Sequence, residues 1–500
     1  MSVSSTAAAR GTTGVLIASC VSTLVVNANT SAVSILLPSI SADTGTPVET
    51  LQLAVTGYSL VGAAVIVTSG ALGDVFGRRR IFLGGLVLFI LSCVLIALSN
   101  TGWGVIIGRC IQGAAGSTIL ACGLSLLSVA NTGKAQLRAV SLWGAASAIG
   151  AALGPLVGGV LVGVTGWQGL FWVDAVVALL VIPLTIFTVT ESRDPKRSRH
   201  IDYLGSALVA LTLAPIILAL SLGSTWGWAS FATIGCFLLG IASGVAFVLI
   251  ERRLKAPLID IALLKNTLLV GATVAILIGA GTINALMYLV SIYFQEPSTL
   301  DFSAFQAGLA TLPATVGLVA VAGLVPRFAA RFGSRAVIAA GFALSAIGFA
   351  ILGFVNGDWS YALFVVPLLA VAIGMGLSNG PSTSVSTAAV PIEQVGSASG
   401  ISNMARYVGA AVATAIAASI YSGISTVQVD NGESTANALA SGLGAASWVM
   451  AIFSALGILL AVRLARHRGP GSPLSEAAAS AAAFVHTVPV EAEEPAKSSS

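Results

Sequence analysis

The sequence predicts an all-α polytopic membrane protein with fourteen transmembrane helices. Of its 500 residues, 56% are hydrophobic and only 8% are charged. A soluble globule of this length needs more polar residues than that to cover its surface. The apolar residues also fall into runs that are long enough to cross a bilayer core of about 30 Å at roughly 1.5 Å per helical residue.

Fourteen such runs follow one another along the chain, separated by short polar segments. The first begins near Thr13 and continues without a small-residue cleavage site, so we expect a membrane span and not a removed signal peptide. The runs cover residues 13–38, 51–73, 81–100, 103–129, 138–164, 167–190, 203–223, 228–250, 267–295, 304–328, 335–354, 359–380, 397–424 and 441–465.

The charged residues test this number of spans. If the segment at 70–80 faces the cytoplasm and the spans alternate, every predicted outer loop lacks Lys and Arg. The predicted inner segments then hold every Lys and Arg except Arg109 and Arg406, and one miscounted span would have reversed the pattern. Because cytoplasmic loops carry an excess of Lys and Arg, we expect a plasma-membrane protein with both termini in the cytoplasm.

The composition also excludes several classes of function. No basic face exists outside short loops, so we expect no nucleic-acid partner. The five cysteines lie in apolar runs without metal-ligand spacing, which predicts neither a metal site nor a disulfide. The sequence contains no nucleophile–base set and no G-x-x-x-x-G-K-[ST] phosphate loop, so we expect no enzyme activity, no cofactor and no use of ATP.

The segment between the second and third spans concentrates charge and glycine. It reads Gly70-Ala-Leu-Gly-Asp74-Val-Phe-Gly77-Arg78-Arg79-Arg80. We expect a cytoplasmic surface loop, because three consecutive arginines do not fit in hydrocarbon. The glycines suit a tight reversal, and Asp74 can pair with an arginine or lie at the N-terminus of the following helix. A plain basic stop-transfer loop is the alternative, but it does not explain the spacing of the glycines and the aspartate.

The fifth span contains a stripe of small residues. Gly150, Gly154 and Gly158 recur every four residues, with Pro155 and Gly159 beside them. Such a stripe lets a neighbouring helix approach closely, and the proline bends the helix, so this face is a candidate pivot. Ordinary close packing is the alternative, because small-xxx-small patterns are common in membrane helices.

Two charged residues, Arg109 and Asp174, lie inside predicted spans. By residue count, Arg109 lies about 9 Å below the outer end of the fourth span, and Asp174 about 10 Å below that of the sixth. Ionisable residues in hydrocarbon mark functional sites by default. We therefore expect Asp174 to exchange a proton and Arg109 to tune it; a structural arginine and a static ion pair are the alternatives.

These motifs resemble the major facilitator superfamily of secondary transporters, and within it the fourteen-span drug:proton antiporters. The segment at 70–80 is similar to the loop between helices 2 and 3 of that superfamily, although Val75 replaces the usual arginine. The glycine stripe with its Gly-Pro and Gly-Gly pairs resembles the antiporter motif of its drug exporters. Arg109 and Gln112 match the superfamily's R-x-x-Q-G motif.

The first and sixth spans depart from the antiporter pattern in opposite ways. Asn29 stands where these antiporters usually carry an aspartate, and asparagine cannot titrate. Asp174 stands where they usually carry an asparagine. The two departures together suggest that the carboxylate has exchanged helices.

The resemblance implies two six-helix bundles with two extra helices between them. A second basic loop at 323–335 looks like a degenerate copy of the first, with Gly333 opposite Gly77, as internal duplication predicts. We expect the chain to divide into a cytoplasmic N-terminus (1–12), an N-terminal bundle (13–190), the extra pair with flanking loops (191–266), a C-terminal bundle (267–465) and a disordered cytoplasmic tail (466–500).

The resemblance also implies a function. It predicts a monomer, embedded in membrane lipid, that exports small amphipathic molecules such as drugs by alternating access, coupled to proton influx. An exporter of an anionic metabolite or lipid is one alternative, favoured by Arg109. A non-transporting sensor or scaffold that kept the fold is another, favoured by Val75 and Asn29.

Several polar and aromatic residues within the spans are candidates to line a substrate cavity. They are Asn29, Gln112, Tyr288, Tyr293, Asn403 and Arg406. The two tyrosines can stack on a drug, with packing against lipid as the alternative. Asn403 and Arg406 enter the thirteenth span from the cytoplasmic side, so we expect them to bind inner loops or helix ends in preference to substrate.

Overall fold

The computed structural model describes residues 2–131, 133–193, 202–254, 261–390 and 395–463. Within these ranges the chain forms helices and short connections, without a strand. Fourteen helical segments are long and apolar enough to cross a membrane, so the predicted number of spans is confirmed. The predicted tail and the basic segment at 194–201 lie outside the described residues.

The first half of the chain forms eight helices. They are α1 (Ser2–Thr44), α2 (Val48–Phe76), α3 (Arg78–Ala97), α4 (Gly102–Ala130), α5 (Gly133–Thr165), α6 (Gln168–Thr188), α7 (Tyr203–Trp226) and α8 (Phe231–Glu251).

The second half begins with a short 3₁₀ turn, Ile261–Lys265, and continues with eight more helices. They are α9 (Thr267–Gln295), α10 (Ala304–Ala310), α11 (Leu312–Ala322), α12 (Val325–Phe332), α13 (Ser334–Leu352), α14 (Tyr361–Ala388), α15 (Val395–Asp430) and α16 (Thr435–Arg463).

Helices α1 to α6 pack on one another, and helices α9 to α16 pack on one another. In the first group α1 lies along α4, α5 and α6, and α2 lies along α4. In the second group α9 lies along α14, α15 and α16, and α13 lies along α14 and α16. This packing agrees with the expected pair of bundles, while the residue boundaries of the division stay a prediction.

The extra helices α7 and α8 form a hairpin beside the two bundles. Helix α7 packs against α2 and α15, one helix from each bundle. Helix α8 packs on α7 and exposes large apolar side chains, such as Phe231 at 95% and Leu238 at 63% exposure. In a membrane these side chains face lipid, because the hydrocarbon solvates them as well as a protein interior does.

The two bundles meet near the ends of their helices that we predict to be extracellular. The Ser291 hydroxyl of α9 donates to the Ser34 carbonyl of α1 over 2.5 Å. Gln295 donates to the Ile35 carbonyl over 3.1 Å, one turn further along α9 and one residue further along α1. Helix α5 packs on α10 and α11, where the Thr315 hydroxyl donates to a carbonyl of α5.

The surface loop that the sequence predicts within 70–80 is shorter in the structure, and the expected tight reversal occurs at one residue. Helix α2 continues to Phe76 and α3 starts at Arg78, so Gly77 alone separates them. Gly77 has φ +116°, a conformation that residues with a Cβ rarely adopt. Its amide donates to the Gly73 carbonyl and so closes the last turn of α2.

The second basic loop shows the same construction. Gly333 alone separates α12 from α13, has φ +81° and donates its amide to the Ala329 carbonyl. The alignment of Gly333 with Gly77 therefore has a matching backbone geometry. The span predicted at 304–328, however, is broken into α10, α11 and the start of α12, with Pro313 and Pro326 each at the beginning of a helix.

Candidate functional site

Three of the predicted residues meet in the first bundle, at the junction of α1, α4 and α6. The Arg109 guanidinium donates through Nη1 to the Asn29 Oδ1 over 2.5 Å. The Asn29 Nδ2 donates to the Asp174 Oδ2 over 2.6 Å. No ion pair in the described part of the chain joins Arg109 directly to Asp174. The amide of Asn29 therefore connects a cation to a carboxylate.

This junction is sealed from solvent. Arg109 and Asn29 are completely buried, and Asp174 is 4% exposed. An isolated charge is costly to bury, whereas a charge with hydrogen-bonded partners is tolerated. Asn29 can serve both neighbours because an amide group carries an acceptor oxygen and a donor nitrogen. Asn29 therefore contacts Arg109 through its oxygen and Asp174 through its nitrogen.

Further partners of Arg109 come from α2, α3 and its own helix. Its Nη1 also donates to the Gln112 Oε1 over 2.5 Å, and its Nε donates to the Ala54 carbonyl over 3.2 Å. The guanidinium carbon lies 4.2 Å from the centroid of the Tyr58 ring. Gln112 in turn donates to the Cys93 sulfur over 3.0 Å.

Sequence reasoning missed Tyr58 and Cys93. Cys93 is one of the five cysteines in apolar runs, and its sulfur accepts a hydrogen bond from Gln112, which is itself a partner of Arg109. Gln112 did carry a signal, since it lies one helical turn after Arg109. Tyr58 has none, because nothing in an apolar helix tells which tyrosine faces an arginine on another helix.

Some polar atoms of the junction have no partner among the described residues. These are Nη2 of Arg109 and the hydroxyl of Tyr58. Buried polar atoms are usually hydrogen-bonded, and unpaired ones need an explanation. These atoms can therefore form further hydrogen bonds that the described side chains do not supply.

Tyr58 also marks a contact between the two bundles. Its ring centroid lies 6.5 Å from that of Tyr407 on α15. The Tyr407 ring lies so close to Gly62 that a Cβ there would be 2.9 Å from it. Tyr58 therefore contacts both Arg109 and a residue of the second bundle.

The turn between α2 and α3 is tied to the end of α6. Asp74 and Arg78 form an ion pair of 2.8 Å, so the expected pairing of Asp74 is confirmed. The Glu191 carboxylate accepts from the backbone amides of Arg79 and Arg80 over 3.0 and 3.2 Å, at the N-terminus of α3. A negative charge at that end of a helix is stabilising. A Cβ on Gly77 would lie 2.6 Å from the carboxyl carbon of Glu191.

The glycine stripe of α5 packs directly on α1. A Cβ on Gly150 would collide with the Leu24 carbonyl, and one on Gly154 with Ser31 and the Ala28 carbonyl. The neighbouring Pro155 and Gly159 face the other bundle instead, where a Cβ on Gly159 would lie 2.5 Å from the Ala304 carbonyl of α10. The stripe and its neighbours thus contact helices of both bundles.

The remaining candidates are not part of the junction. Tyr288 and Tyr293 are 2% and 1% exposed, so both rings lie inside the protein, and packing against lipid is wrong for them. Tyr293 packs on Phe364 of α14.

Arg406 binds the last three turns of α14, and its expected preference for inner loops or helix ends over substrate stays a prediction. Its partners are Asn379 at 2.8 Å and Thr383 at 3.3 Å, both inside α14. Asn403 donates to the Ser399 carbonyl of its own helix.

Comparison with known proteins gives the family. A sequence profile described as the Major Facilitator Superfamily matches residues 19–414. Multidrug resistance protein Stp of Mycobacterium tuberculosis is 31% identical over 389 residues, which cover 78% of this chain and 72% of that protein. Multidrug efflux pump LfrA of Mycolicibacterium smegmatis is 31% identical over 396 residues, with coverage of 79% and 78%.

Solved structures give the same fold. The human organic anion transporter MFSD10 (TETRAN) superposes with a TM-score of 0.61 at 17% identity, covering 91% of this chain and 99% of that one. An auto-inhibited peptide transporter of the POT family gives a TM-score of 0.66 at 14% identity, covering 92% and 98%. The expected fold is confirmed, and this multi-pass membrane protein belongs to the Major Facilitator Superfamily.

Proposed function

We propose that this chain exports small amphipathic molecules, drugs among them, across the cytoplasmic membrane in exchange for protons. Its membership of a transporter superfamily supports transport, and the names of Stp and LfrA as multidrug resistance and efflux proteins support the substrate class. The transporter works as a lipid-embedded monomer with both termini in the cytoplasm. The absence of Lys and Arg from every predicted outer loop supports that orientation.

The buried junction of Arg109, Asn29 and Asp174 is the observation that carries proton coupling. Burial favours the neutral carboxylic acid, whereas a nearby guanidinium favours the carboxylate. Asp174 therefore responds to any movement that wets the junction or changes its distance from Arg109. Nη2 of Arg109 has no partner among the described residues, so it is available to donate a hydrogen bond to the ionised carboxylate of Asp174. Loading and release of one proton in each cycle follow from these opposed effects.

Alternating access requires contacts between the bundles that open and close. The hydrogen bonds of Ser291 and Gln295 with α1 close the predicted outer side. The α5 residues Pro155 and Gly159 lie at the same side against α10. Tyr58 touches both Tyr407 of the second bundle and the guanidinium of Arg109. This supports the proposal that movement of one bundle against the other changes the surroundings of Arg109.

The test uses purified protein in liposomes with an imposed pH gradient and a cationic dye as substrate. Asp174→Asn should abolish gradient-driven dye transport, and counterflow without a gradient should survive, because the neutral amide removes the proton site only. Asp358→Asn, which neutralises an exposed carboxylate, is the matched control and should transport like the wild type. Full gradient-driven transport by Asp174→Asn would refute the coupling role. A wild type without dye transport or counterflow would favour the sensor or scaffold alternative.

A further inference from the structure

Helices α14 and α15 face each other with two polar stripes in the second bundle. Each stripe has the spacing i, i+3, i+4, i+7, which places its members on one face of a helix. Ser386 and Ser402 form a hydrogen bond of 2.5 Å across the interface, and Arg406 bonds to α14 one turn away. The stripes consist of Asn379, Ser382, Thr383 and Ser386 on α14, and Ser399, Ser402, Asn403 and Arg406 on α15.

The charge of Arg406 is not balanced within the described part of the chain. The guanidinium donates to Asn379 and Thr383, whose oxygens are both neutral. None of the ion pairs between described residues includes Arg406. Arg109 differs, because Asn29 links it to Asp174. A cation inside a membrane bundle without a carboxylate partner is expected at a pathway for charged solutes.

Arg406 also keeps donors and access for a ligand. A guanidinium has five N–H groups, and the two bonds to α14 leave the others uncommitted. Arg406, Asn379 and Asn403 are half-buried, whereas Arg109 is completely sealed, so Arg406 is the more open of the two arginines. The buried hydroxyl of Ser382 has no partner among the described residues and lies on the same stripe.

The position of Arg406 connects it to the space between the bundles. The next residue, Tyr407, packs on Tyr58 and over Gly62 of α2, at the contact between α2 and α15. Arg406 therefore lies beside the contact between the two bundles, close to a molecule held between them.

We propose that Arg406, held by Asn379 and Thr383, binds the anionic group of a transported amphipathic molecule, with a carboxylate as the best-fitting group. A planar carboxylate matches the fork of a guanidinium and takes two parallel hydrogen bonds from it. The proposal rests on the transport function proposed above and adds a substrate class to it. The transporter accordingly takes lipophilic carboxylates in addition to neutral and cationic molecules.

The test measures binding of two matched fluorescent dyes to detergent-purified protein, one a lipophilic carboxylate and the other its methyl ester. Arg406→Gln should weaken binding of the carboxylate dye by about tenfold to hundredfold, the effect of losing a charge-assisted hydrogen bond, and change ester binding by less than about twofold. Arg406→Lys should give an intermediate loss, since an ammonium keeps the charge without the planar fork. Arg253→Gln, which removes an exposed arginine, is the control.

A second variant keeps the arginine and changes its partner. Asn379→Asp places a carboxylate against the guanidinium, so it should reduce binding of the carboxylate dye and leave ester binding unchanged. Unchanged carboxylate binding in both Arg406→Gln and Asn379→Asp would overturn the proposal, as would an equal loss for both dyes, which indicates a structural role. Binding in detergent needs no gradient, so failure of dye transport in liposomes contradicts the proposed function separately.

Discussion

Asn29 connects Arg109 and Asp174 of the proposed coupling site, although it cannot carry a proton itself. Its oxygen faces Arg109 and its nitrogen faces Asp174, so the two contacts fix the orientation of the amide. A carboxylate at position 29 would meet Arg109 directly. We therefore expect the site to work with its acid at either of two positions on different helices.

The double variant Asn29→Asp/Asp174→Asn tests this equivalence. It returns the acid to the first helix and keeps one carboxylate and one amide in contact with each other. We expect proton-driven transport, lost in Asp174→Asn, to return in the double variant. The measurement is dye transport in liposomes at matched protein density.

Asn29→Ala is the control for this exchange. It removes the bridge and leaves both buried partners unsatisfied, at a cost of about 1–3 kcal/mol, so it should lower both stability and transport. A double variant as inactive as Asp174→Asn would show that the position of the acid matters, and not only its presence.

The sequence predicted how deep Arg109 and Asp174 lie in the membrane, but it could not predict how each helix is rotated about its own axis. Counting residues placed Arg109 and Asp174 at similar depth, and the structure brings them to one junction. Counting does not tell which side of a helix faces which neighbour when every side is apolar. Tyr58 and the Cys93 sulfur were missed for that reason, because their roles depend on how α2 and α3 are turned toward α4.

At the scale of elements, the glycine stripe of α5 packs so closely on α1 that no side chain fits between the two helices. Gly154→Ala should already disrupt it, because the added Cβ meets backbone and side-chain atoms of α1. Overpacking of this kind costs about 1–3 kcal/mol, and Gly154→Leu should cost more. We expect inserted protein with strongly reduced transport, measured in membranes with expression controlled by blotting.

Gly163→Leu is the matched control on the same helix. A Cβ at Gly163 meets no atom within 4 Å, and the residue is exposed. Normal transport by Gly154→Leu would reduce the stripe to ordinary packing without a pivot role.

The turn between α2 and α3 gives a second prediction at this scale. Gly77→Ala should lower the thermal midpoint, because a strained backbone costs roughly 1–3 kcal/mol and the new methyl group meets Glu191. Glu191→Gln should lower it less, since a neutral amide still accepts one hydrogen bond. Gly84→Ala adds a Cβ in open space on α3 and should not destabilise the protein. Equal midpoints for Gly77→Ala and Gly84→Ala would contradict this account.

The helical continuation through residues 70–76 and 78–80 was not predictable from composition. Glycine and charge usually indicate a loop, but the last turns of α2 and the first of α3 are held by tertiary contacts. Glu191 supplies the acceptor for the start of α3, and it lies 112 residues after Arg79. Local propensity contains no information about a partner so distant in the chain.

At the scale of the whole molecule, charge placement predicts which side faces the cytoplasm. Ser434→Cys should react with a membrane-impermeant maleimide in intact cells, because the residue is exposed in the connection between α15 and α16. Arg193→Cys, exposed after α6, should react only after the cells are permeabilised. The native sequence without either substitution measures background labelling. Labelling of Arg193→Cys from outside would overturn the orientation.

The junction of α1, α4 and α6 also constrains how the protein is made. Asn29 precedes Arg109 by 80 residues and Asp174 by 145, so α4 enters the bilayer before its counter-charge has been synthesised. A central arginine costs about 2.5–3.5 kcal/mol on insertion. Asn29 and Gln112 are the polar side chains that already exist to receive it. A defect at Asn29 should therefore appear first in the yield of inserted chains, during biosynthesis and before any substrate is moved.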